Sequence, residues 1–222
     1  MQRAVRFSLG RAIVVALIVV TAPTALRAQQ AADEGEDKRI FGIIPNYRTV
    51  PTMADYQPIG VGEKFTIAKD DALDRGTFVL AAAFAGYAQI TSATPEFGHG
   101  FPAYAKYYGG SLADLVIGDF MTEGIYPSLL KQDPRYFRRA SGGGWSRFGY
   151  AVGQVIITHG DGGATQPNWS EWAGNATAVG IANAYYPGSH SLSSNLTKLA
   201  LQVAVDAAAN VIKEFAPDLT RR

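Results

Sequence analysis

After residue 70, apolar positions recur mostly at helical rather than strand spacing. The stretch Phe78 to Tyr87 (FVLAAAFAGY) is apolar on every side, and Asp70, Asp71 and Asp74 precede it, where negative charge suits a helix N-terminus. The pattern predicts a buried helix ending near Ile90. Residues 91–102, with two prolines and two glycines, read as a loop. A second helix is expected over 103–126, bent or ended by Pro127. A third is expected over 145–158, stopped by the turn GDGG at 160–163. Asn168 with Glu171 three positions on forms a capping box for a helix reaching about Tyr185. Leu192, Leu196, Leu199 and Val203 share a stripe on a last helix over 192–215, with Pro217 just beyond its end.

Small residues recur at four-residue steps: Ala81/Ala85, Ala105/Gly109/Ala113, Gly149/Gly153, Gly174/Ala178/Ala182 and Ala200/Ala204/Ala208. Such faces let helix backbones approach closely. Ahead of the helices, Pro45, Pro51 and Pro58 push residues 39–69 toward an extended strap whose Ile and Phe side chains need a surface to cover. The expected fold is therefore mainly α, a compact bundle of about five Ala/Gly-packed helices with an extended N-terminal strap. The helical domain is expected over 70–217, followed by a short tail, 218–222. A small outer-membrane β-barrel is the competing architecture, because the chain is rich in glycine and aromatics. Against it, strict alternation rarely persists for the ~10 residues a membrane strand needs.

The N-terminus changes where this fold is expected to operate. Arg3, Arg6 and Arg11 precede an apolar run at 12–20, then Pro23 and small residues up to Ala28, which is the layout of a secretory signal peptide over residues 1–28. A retained membrane anchor is the alternative. Residues 29–38 (QQAADEGEDK) read as a disordered acidic lead-in. Removal of 1–28 takes four arginines and no acids, leaving 16 basic against 19 acidic groups, a formal charge of −3. Nucleic acid is set aside as a partner on that balance. The expected location is the periplasm or outer envelope. No cysteine occurs, so thiolate metal sites, cysteine nucleophiles and disulfides are excluded.

Candidate chemistry is sparse. Asp119 and Glu123 lie four apart on one face of the second predicted helix, and His99 stands in the flexible loop before it. A water-accessible convergence of these three would make a general acid–base site, the basis of an alternative reading as a hydrolase acting on an envelope component. Arg135, Arg138 and Arg139, with Trp145 and Arg147 close behind, form a basic and aromatic cluster suited to an anionic membrane surface, or to internal salt bridges. Neither a metal-ligand pair nor a cofactor fingerprint is present in the sequence, and none is expected.

At KRIFGIIPNYR (38–48), ATPEFG (93–98) and KEFAPD (213–218) the chain resembles a group of exported bacterial proteins with no assigned activity. The resemblance implies an envelope location and assigns no catalytic residue. The functional expectation is a non-enzymatic structural or interaction protein of the envelope, peripheral to a membrane or bound to an envelope protein.

Overall fold

The structure, a computed structural model, describes residues 39–188 and 190–220. The expected signal segment and the acidic lead-in lie outside the described residues. What is described is mainly α-helical, with strands of only two to four residues. Strands this short cannot cross a bilayer, which sets the β-barrel aside.

The strap is extended only as far as Gly60, not to residue 69. It carries β1 (Arg39–Ile40), β2 (Ile44–Pro45) and β3 (Thr49–Val50), then a 3-10 turn at Met53–Asp55. Helix α1 (Val61–Ala72) follows, and Leu73–Asp74 separates it from α2 (Arg75–Ile90). The acidic run expected to start one helix therefore ends the first and starts the second. Asp74 accepts from Gly76 N at 2.6 Å as N-cap, and its carboxylate is also bound by Arg39 and by Tyr47 Oη at 2.9 Å, so the strap is fastened at the helix junction. A Cβ on Gly76 would run into the Ile43 carbonyl oxygen, so only glycine allows this approach.

Helix α3 (Gly100–Asp119) passes without a break through a π turn (Phe120–Ile125) into α4 (Tyr126–Leu130). Pro127 neither bends nor ends the run where a sequence rule would place it. It cannot donate to residue 123, and the widened turn immediately before it absorbs the misfit. Helix α5 (Gly144–Gly153) is shorter than expected, because Ile157–Gly160 forms strand β6 instead of its last turn. Helix α6 (Trp169–Ala182) starts at the anticipated cap, Asn168 Oδ1 accepting from Glu171 N at 3.1 Å. Helix α7 (Leu192–Thr220) continues through Pro217, so Asp218 belongs to a helix rather than to a tail.

Three small sheets join these helices. β1 pairs antiparallel with β2, and β3 pairs parallel with β5 (Tyr136–Phe137), matching Thr49 to Tyr136. β6 lies between β4 (Gln132–Asp133) and β7 (Thr165–Pro167), antiparallel to both. Helices α2 and α3 pack side by side, the π turn lies against α1 and α6, and α7 packs on α5 and α6.

Half of the buried apolar residues are alanines, among them Ala81, Ala85, Ala178 and Ala182. Gly174 completes the α6 stripe: a Cβ there would come within 2.8 Å of Thr122 Cγ2, so α6 lies directly on the π turn. The other three small-residue stripes do not pack this way. Ala105 and Gly109, Gly149, and Ala200, Ala204 and Ala208 are exposed. On α3 the buried face is Ala103, Tyr107, Gly110 and Ser111 instead. On α7 the predicted apolar stripe reaches the interior only at Val203, while Leu192 and Leu196 stand in the open.

Candidate functional site

Many large apolar side chains are outside, while a number of ionisable groups are buried. Among the described residues, eleven Asp, Glu, Lys and Arg side chains are buried, whereas Ile90, Phe101, Leu129, Leu192 and all three tryptophans are exposed. Lys64, Asp74 and Asp133 pair with Asp161, Arg39 and Arg135, and the other eight form two groups of different character.

The first is a clamp between β5, the start of α5 and the end of α7. Glu214 is sealed from solvent and its carboxylate accepts from Tyr136 Oη at 2.8 Å, Arg147 Nε at 2.8 Å and the backbone N–H groups of Arg139 and Ala140. Arg138 and Arg147 both donate to the Glu214 carbonyl oxygen and both pair with Asp218. Burial would raise the Glu214 pKa, but these donors, Arg147 foremost, hold it below the usual carboxylate range. Of the cluster expected at an anionic surface, Arg138 and Arg147 are therefore engaged internally, and Arg135 is held by Asp133 at 2.7 Å. Only Arg139 and Trp145 are exposed. Such fully bonded pairs fix a conformation and leave no atom for a ligand.

The second group lies where α1, the end of α3, the π turn, α6 and α7 meet. Arg48 Nη1 pairs with Glu123 Oε1 at 3.2 Å. Asn175 Nδ2 donates to Glu171 Oε1 at 3.0 Å and to Asp206 Oδ2 at 3.1 Å, so one amide holds the two carboxyl groups side by side. Asp71, Asp119 and Lys213 complete the cluster electrostatically. Several atoms here lack partners: Glu123 Oε2 and Arg48 Nε are buried and unbonded, and the buried Lys213 makes no hydrogen bond or ion pair among the described residues. Burial raises the pKa of Asp119 and Glu123, reinforced by Asp71, and raises that of Glu171, reinforced by Asp206. Burial, with Arg48 nearby, pushes the Lys213 ammonium down to about 8. Beside the cluster is a cavity of about 30 Å³, lined by Arg48, Thr122, Ser170, Glu171 and Asn210 and by residues of β4 and β6. It has room for about one water molecule.

The three residues proposed as an acid–base site do not converge. Glu123 is buried and Asp119 half-buried, whereas His99 is exposed at the N-cap of α3. Along one unbroken helical run they are 20 and 24 residues from His99, about 30 and 36 Å. No group of three or more potential ligands able to hold a metal ion occurs among the described residues. Sequence reasoning found Asp119 and Glu123 but missed Arg48, Asp71, Glu171 and Lys213, which lie on different elements and have no shared spacing. Asp206 was legible as an acid inside an apolar helix.

On the outside, Trp145 and Phe148 stand edge to face at 5.9 Å on α5, and Ile156 and Ile157 continue that face. The first turn of α6 adjoins it: Trp172 Nε1 donates to the Val155 carbonyl at 2.9 Å and Asn168 N to that of Ile156 at 2.8 Å, leaving Trp169 and Trp172 outward. Among the described residues, no helix is long and apolar enough to cross a membrane. No family profile, curated protein or solved structure matches the chain.

Proposed function

We propose that this is a non-enzymatic interaction protein of the cell envelope that sits peripherally on a lipid surface, seated by the face carrying Trp145, Phe148, Ile156, Ile157, Trp169 and Trp172. The observation behind this reading is the exposure of large aromatic side chains: every tryptophan of the chain is exposed, at 86%, 62% and 41%. Contiguous exposed apolar area marks a membrane or partner surface. Tryptophan, with an apolar ring and one N–H, suits the headgroup boundary of a bilayer. The secretory layout of residues 1–28 supports an envelope address.

Because the seating face holds all the tryptophans, their fluorescence reads the contact directly. The protein lacking residues 1–28 is expected to float with phosphatidylcholine/phosphatidylglycerol vesicles and shift its emission to the blue. Replacing Trp145, Trp169 and Trp172 singly by Ser should weaken flotation severalfold each with the fold intact by circular dichroism. Absence of flotation and of any blue shift would overturn the reading. A blue shift that needs no vesicles and rises with protein concentration would replace the lipid by a second copy of the chain.

A further inference from the structure

The interior cluster holds more acid than its cations can balance. Asp71 from α1, Asp119 and Glu123 from α3 and its π turn, Glu171 from α6 and Asp206 from α7 face only Arg48 from the strap and Lys213 from α7. Charge balance is reached when three of the five carboxyl groups carry a proton. Several kcal/mol per unpaired buried ion oppose the fully ionised state.

Two features of geometry show where those protons sit. Asn175 Nδ2, bonded to one oxygen of Glu171 at 3.0 Å and to one of Asp206 at 3.1 Å, holds the two carboxyl groups side by side, and two negative charges this close favour a proton on the buried Glu171. Glu123 is 3% exposed with one oxygen on Arg48 and the other, Oε2, sealed and unbonded. That is the place of a carboxylic O–H rather than of a bare anion. The small polar cavity touches Glu171 and reaches the half-buried Arg135, Gln154 and Asn168, with Asp133 on its wall. The unbonded Nε of Arg48 and the buried Asn210 also border it. A water molecule there gives a proton a way in and out.

We propose that this chamber is a proton-binding site, in which Glu171 holds one proton beside Asp206 and Asp119 and Glu123 hold the others, so that ambient pH sets how tightly α6 and the π turn are held against α7. On alkalinisation each proton passes to water and leaves a carboxylate facing another carboxylate. The seam between α6 and α7 then loosens. A metal is not needed to neutralise the cluster, and this behaviour is independent of the lipid seating above.

Infrared spectroscopy of the folded protein lacking residues 1–28, without vesicles, tests it. At neutral pH the wild type is expected to show absorption from protonated carboxyl groups, fading as pH rises. Its unfolding equilibrium constant should increase up to tenfold per pH unit for each proton the folded state retains over the unfolded one. E171Q supplies Asp206 with an N–H donor that does not titrate, so it should remove part of that absorption and lower the slope by about one proton. D206N does the same from the other side, should E171Q not fold. Wild-type protein without protonated-carboxyl absorption at neutral pH overturns the proposal. So does a folded E171Q or D206N with unchanged absorption and slope.

Discussion

Glu214 illustrates how one side chain carries a junction. Its carboxylate gathers β5, the loop after it and α5, while its own carbonyl and Asp218 receive the two arginines of that region. Removing one partner of a buried pair strands the other charge, so Glu214→Ala should cost about 3–5 kcal/mol in denaturant unfolding. Arg139→Ala, with an exposed side chain, should change stability by at most about 0.5 kcal/mol. The two motifs the sequence offered as a surface patch and as a family likeness, RYFRR and KEFAPD, are the two halves of this clamp. Residue types alone could not separate binding from bracing, because an arginine looks the same in sequence whether its carboxylate is a lipid phosphate or a glutamate many positions away.

At the level of elements, close approach decides which glycines matter. Gly174→Ala places a methyl 2.8 Å from Thr122 and 3.1 Å from the backbone of the π turn, and overpacking there should destabilise by about 1–3 kcal/mol. Gly149→Ala, on the open side of α5 with nothing within 4 Å, should instead stabilise by about 0.5–1 kcal/mol. Thermal unfolding of the two variants side by side checks the contrast. In sequence the two stripes were equivalent. Helix positions, the Asn168 cap and the dominance of α-helix were legible because capping and local periodicity act within a few residues. The break at Leu73–Asp74 and the replacement of the last turn of α5 by β6 were not, since each follows from a partner elsewhere in the chain: Arg39 and β4.

For the whole molecule, the charged interior predicts an unusual pH profile. Asp119, Glu123 and Glu171 have folded pKa values raised above their unfolded ones, so their contribution is greatest in acid and declines as pH rises from about 4.5 through the folded values. Lys213 acts oppositely: with a folded pKa of about 8, the folded state has released a proton that the unfolded state still binds, and the alkaline decline should flatten above pH 8. Glu214, Asp218 and Asp74, held low by their arginines, give stability that is lost as pH falls below the ordinary carboxylate range. Unfolding midpoints measured from pH 3 to 9 should therefore peak on the acid side of neutrality. A flat profile between pH 5 and 8 would contradict the assignment of protons to the interior.

By itself the sequence determined most of the helices and their starts, though not α1, together with the absence of thiol chemistry and the expected export layout, because these rest on neighbours within a turn or on composition. Which side of each helix faces inward was decided only by tertiary structure. Hydropathy assigns apolar residues to the interior one at a time. A set of five acids and two bases drawn from five parts of the chain comes together only when all those parts are assembled, and the tryptophans stay outside.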